Sequence, residues 1–127
     1  MHMLDHMEVG EGICQFRPCG ECSLVDAVDL ITSAIAYCRG QSIDKLLVDV
    51  TGLVGVAIPS LVDRFLMVEE WAREGKGVVV VAMVARAEYI HPKKFGVKVA
   101  ADFGLVLDVY TSETDAFRWL SSGLDLA

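Results

Sequence analysis

A chain of 127 residues fits one domain with one proper core, and its 54% hydrophobic and 23% charged composition is reconciled by strands buried on both faces. A net charge of −7 argues against nucleic-acid binding, which demands a basic surface. The longest apolar run, residues 78–85, is far shorter than the roughly 20 residues a membrane span needs, and residues 1–12 carry Asp5, Glu8 and Glu11 without the apolar stretch of a signal peptide. The expectation is a cytoplasmic protein without membrane contact.

Residues 1–11 are read as a tail or an edge strand, the strand reading covering 3–9. A single α/β domain follows over 12–122, then a tail over 123–127. The first strand is expected over 12–17, ended by the turn residues Pro18, Cys19 and Gly20. A helix follows from Ser23, its apolar stripe drawn by Leu24, Val28, Ile31, Ile35 and Cys38. Ser23 with Asp26 has capping spacing, and Arg39-Gly40 supplies a cation and a left-handed terminator. The second strand, 45–50, is apolar on both parities and therefore covered on both sides. A loop leads to a second helix opened by Ser60, with Leu61, Phe65, Val68 and Ala72 as its buried face and Gly75 and Gly77 at its end.

Residues 78–85 form the third and most apolar strand, placed centrally. The loop 86–92 precedes a third helix over 93–102, stopped by Gly104. The fourth strand spans 105–110. Ser112 with Asp115 repeats the capping spacing before a short last helix, 116–121. Four strand–helix units in this order imply a mainly parallel sheet with right-handed crossovers.

In parallel sheets, sites form beyond the carboxyl ends of the strands. Cys19-Gly20-Glu21-Cys22 lies there, ahead of a helix, where a thiol pKa can fall; Cys19 and Cys22 are thus redox candidates, although free thiols are the default for all four cysteines. No paired metal-ligand motif occurs, so no metal is expected. At the loop 86–94 and the helix start after it, Arg86, Lys93, Lys94 and Lys98 gather positive charge in an acidic protein, the pattern of an anion or acidic-partner contact, and His91 joins Arg86, Lys93 and Lys94 in the candidate binding set. Thr51 at the end of the second strand, with Ser60 and Arg64 at the second helix, completes the partner- or ligand-binding set. Ser60 is both a capping residue, supported by Asp63, and a candidate phosphosite. No nucleophile–base pairing accompanies His91, so no enzyme activity and no cofactor are expected.

Leu46-Leu47-Val48-Asp49-Val50-Thr51-Gly52 at the second strand, the order of units, and Val109-Tyr110-Thr111-Ser112-Glu113 leading to Ala116-Phe117-Arg118-Trp119-Leu120 carry a family resemblance. Over roughly 12–122 the chain resembles a divergent STAS domain, the fold of anti-sigma-factor antagonists. The resemblance implies a right-handed βα superhelix and a regulatory module that docks a kinase-like or similar protein. Separately, the high apolar content and a free sheet edge make a homodimer a further expectation. In that family an Asp-Ser pair opens the second helix and its serine is phosphorylated. Here the stretch reads Gly55-Val56-Ala57-Ile58-Pro59-Ser60, so the implied module lacks the Asp-Ser phosphoswitch. The alternatives are a sensor of an anionic metabolite using the Arg86 loop, and a Cys19/Cys22 thiol redox protein.

Overall fold

A computed structural model describes residues 6–122 of the chain; residues 3–5 of the expected edge strand and the tail at 123–127 lie outside them. The main sheet has five strands, β1 (Met7–Gly10), β2 (Ile13–Phe16), β4 (Lys45–Asp49), β6 (Val80–Val84) and β7 (Leu107–Tyr110), in the order β1-β2-β4-β6-β7. β1 pairs antiparallel with β2 and supplies the edge strand; every other pairing in this sheet is parallel. Four helices follow the strands: α1 (Leu24–Gly40), α2 (Leu61–Gly75), α3 (Phe95–Asp102) and α4 (Glu113–Ser121).

The strand order explains the layering. From β2 to β7 the chain always steps in the same direction, and right-handed crossovers taken in one direction place their helices on one face. Accordingly α1, α2 and α3 share a core with Phe16, Leu46, Val48, Val81 and Met83. The opposite parity, Ile13, Leu47, Val80, Ala82 and Val84, packs against Ala116 and Leu120 of α4. Burial on both faces is why β4 and β6 carry no alternation. Each of Leu46, Val48 and Val81 is wholly buried, and each such side chain contributes roughly 1.5–3 kcal/mol of transfer free energy.

Local chemistry sets the helix starts. Ser23, Ser60 and Ser112 each accept a hydrogen bond from the backbone N–H three residues on, at Asp26 (3.1 Å), Asp63 (3.1 Å) and Asp115 (3.3 Å). Only Ser60 completes the reciprocal box, its own N–H donating to the Asp63 carboxylate at 2.9 Å.

Several expectations are corrected. Gly40 is the last residue of α1, not a left-handed terminator; Gln41 closes the helix at φ −96° and the chain turns at Ser42, φ 58°. α2 is rotated from its expected face. Arg64, Val68, Trp71, Ala72 and Gly75 are buried, whereas Leu61 and Phe65 are exposed. α3 begins at Phe95 because Lys94 takes the left-handed conformation at φ 50°, so Lys93 and Lys94 precede the helix. β6 is an interior strand with parallel neighbours on both sides, but β4 occupies the middle of the sheet. Finally, Gly20–Glu21 (β3) pairs in parallel with Leu53–Val54 (β5), a two-stranded sheet too short to show any periodicity.

Candidate functional site

Parallel pairing brings the ends of β2, β4, β6 and β7 to one rim. The loops of that rim are tied together by polar contacts. β3 joins β5, so the first loop is strapped to the second. The Tyr89 hydroxyl donates to the Val56 carbonyl at 2.6 Å, tying the loop after β6 to the loop before α2. Arg86 lies 5.4 Å from the Tyr89 ring centre, forms an ion pair with Glu88 at 3.6 Å, and approaches the Thr51 carbonyl at 3.5 Å. Because every crossover runs the same way, this sheet has no point of reversed strand order, and therefore no crevice between diverging helices.

A cavity opens instead under the rim, between α1, α2, α3 and the loop after β6. It has a volume of about 110 Å³. Val28, Val68, Trp71, Met83 and Val109 give it an apolar wall. Arg64, Arg86, His91 and Lys94 also line it, so four residues expected from the sequence as binding groups meet here. Thr51, Ser60 and Lys93 do not line it: Thr51 is exposed and folds back on Asp49, whose carboxylate accepts from its hydroxyl at 2.6 Å and its N–H at 2.9 Å. Lys93 is exposed and its N–H donates to His91 Nδ1 at 3.1 Å.

The three cations among these lining residues, Arg64, Arg86 and Lys94, differ in what engages them. Lys94 is ion-paired with Asp108 at 2.7 Å and lies 5.3 Å from the Tyr110 ring centre. Arg64 is 9% exposed and its Nη1 donates to the Tyr89 carbonyl at 3.0 Å. Desolvation by burial lowers the Arg64 pKa, although a guanidinium keeps its charge in any protein setting. Tyr89 was not among the residues picked from the sequence. It sits within the basic loop, but its role as a clamp depends on two partners 33 and 25 positions away.

The two cysteines of the C-x-x-C stretch are separated by the extended pair β3, with Cys19 exposed and Cys22 half-buried. Burial, and then the Asp26 carboxylate, push the Cys22 thiol up, the reverse of what thiolate chemistry needs. Among the described residues no group of three or more His, Cys, Asp or Glu side chains could hold a metal ion. Nor is any described helix long and apolar enough to cross a membrane.

A second feature adjoins the rim. The first two turns of α2 are inverted in polarity: Arg64 points inward, while Leu61 (52% exposed), Val62 (67%), Phe65 (42%) and Leu66 (55%) face outward. Ile58 and Val54, just upstream, are also exposed. Periodicity alone missed this face, because an apolar residue on a helix is ordinarily assigned to the core.

Among solved structures, the chain is similar to the crystal structure of an anti-sigma factor antagonist from Mycobacterium paratuberculosis, with 20% sequence identity, a TM-score of 0.56 and 90% of each chain covered. No protein-family model matches the sequence, and no curated protein matches it. The chain thus has a STAS-like fold, as the resemblance implied.

Proposed function

We propose that the chain is a non-enzymatic regulatory module that docks a protein partner through the start of α2 and the loop before it. One observation carries the reading: Leu61, Val62, Phe65 and Leu66 form an exposed apolar face on a single helix, and Ile58, three residues upstream of Leu61, is exposed as well. Contiguous apolar surface of this kind marks interaction sites rather than ordinary solvent-facing helix. The fold likeness to an anti-sigma factor antagonist supports a regulatory protein as the partner. The partner we propose is kinase-like and is met in the cytoplasm. Ser60 fits this module as a helix cap at the margin of the docking face. With proline in place of the aspartate before it, docking would be set by apolar contact rather than by a phosphoserine switch.

The test is crosslinking in native cells with the parent chain and with a Leu61→Asp/Phe65→Asp double variant. The parent should trap one regulatory protein as a specific adduct, and the variant should lose it while melting as the parent does. Identical adducts from both, or only a self-adduct that marks a homodimer face, would overturn the reading.

A further inference from the structure

The chain has six arginines. Arg17, Arg39, Arg73, Arg86 and Arg118 each have a carboxylate within 4 Å, and all are at least partly open to solvent. Arg64 is the buried one, and among the described residues no carboxylate pairs with it. The single hydrogen bond of its guanidinium to the described residues goes to a neutral carbonyl, that of Tyr89. A buried charge without a counter-ion is costly, so chains ordinarily pair it or replace it. Arg64 also lines the apolar cavity, where the other cations are already committed: Lys94 to Asp108 and Arg86 to Glu88.

From this we infer that the cavity binds a small carboxylate, its head group taken by the free edge of the Arg64 guanidinium and its apolar body packed among Val28, Val68 and Trp71. The planar fork of a guanidinium matches a carboxylate with two parallel N–H···O bonds. The wall chemistry selects against phosphate and nucleotide ligands, which need several convergent donors, whereas this lining is mostly hydrocarbon. Volume sets the length. An apolar cavity of roughly 150 Å³ takes a benzene ring, so the smaller space here suits a body of roughly four or five carbons. Arg86 and Lys94, each shared with a carboxylate, stand along the same lining and favour entry of an anion into an otherwise acidic protein. The site is distinct from the exposed apolar face, since Leu61, Val62, Phe65 and Leu66 are not among the cavity's lining residues, although Val56 and Pro59 of the loop before α2 are.

The experiment uses the full chain with the series butanoate, pentanoate, hexanoate and octanoate, and with pentanol as the uncharged control. Thermal shift and calorimetric titration are the readouts, with Trp71 fluorescence as a local reporter. Pentanoate should give a saturable shift and a change in Trp71 emission, octanoate should bind more weakly, and pentanol should do neither. Arg64→Gln should abolish the pentanoate response. Ala27→Leu, which fills part of the cavity while leaving the charge in place, should weaken pentanoate at least tenfold, and it keeps the test open if the arginine variant does not fold. No response to any carboxylate, equal responses to pentanoate and pentanol, or full affinity in either folded variant overturns the site. None of these outcomes touches the crosslinking result, so the two ideas fail separately.

Discussion

Arg17 holds Glu113 across 96 positions of sequence, Nε and Nη2 each 2.8 Å from a different carboxylate oxygen. The pair joins the residue just past β2 to the first residue of α4, and so fastens the helix of the opposite face to the rim of the sheet. Gln15 also accepts from the same guanidinium.

The acid limb of stability follows from that pair. The Arg17 hydrogen bond holds the Glu113 carboxyl at about 2, below its ordinary 4.5. Its folded pKa is depressed, so the stabilisation is complete above 4.5 and drains away as pH falls through about 2. Asp49 acts with the opposite sign: burial first, and Glu113 next, push its carboxyl up, so protonating it favours the folded form. Glu113→Gln should lower the melting temperature at neutral pH and flatten the decline between 4.5 and 2. Parallel melting-versus-pH curves for parent and variant would show that the pair contributes nothing.

The Ser60 cap separates two roles of one hydroxyl. Ser60→Ala leaves the Asp63 N–H without its acceptor and should cost about 1 kcal/mol in denaturant unfolding. Ser60→Asp keeps a good N-cap and should unfold close to the parent. A large loss in Ser60→Asp would mean that the hydroxyl is held for more than capping.

Gly52 lies under the strap between β3 and β5. A Cβ there would sit 3.0 Å from the Pro18 carbonyl oxygen and 3.2 Å from the Cys19 Cβ. The first of these is backbone and cannot rotate away, so Gly52→Ala should cost about 1–3 kcal/mol, the usual range for overpacking. Amide exchange at Gly20 and Cys22, which donate to the Gly52 and Val54 carbonyls, should accelerate in parallel. Unchanged exchange would show that the strap gives way without strain.

Identical deletions should behave differently on and off the apolar helix face. Leu46 is fully buried and Leu46→Ala should cost about 2–5 kcal/mol. Leu66 is 55% exposed, and Leu66→Ala should stay within about 0.5 kcal/mol of the parent. A large loss at Leu66 in a monomer would place that side chain in the core and remove the face.

Tyr110 reports on the pairing of Lys94. Burial, then the Asp108 carboxylate that accepts from its hydroxyl at 3.1 Å, push the Tyr110 phenol up to about 12. Asp108→Asn removes the second cause and should bring the phenol part of the way back toward 10, read from tyrosinate absorbance. An unmoved titration would assign the whole shift to burial.

Local chemistry was written plainly in the chain. The both-parity apolar runs at 45–50 and 78–85 require strands covered on two sides, and three serines spaced from aspartates require helix starts where Ser23, Ser60 and Ser112 stand. The basic loop around Arg86 was legible too, because charge that clusters in an acidic chain shows without any knowledge of distance. What only the tertiary structure decided involves partners far apart in sequence. Periodicity sends charges outward and apolar residues inward, so it could not turn α2 to bury Arg64 while exposing Leu61 and Phe65. That turn is set by three helices competing for one sheet face, a consequence of crossovers that all step the same way. The Arg17–Glu113 clasp, the β3–β5 strap and the cavity under Tyr89 arise likewise from packing, which no window of neighbouring residues contains.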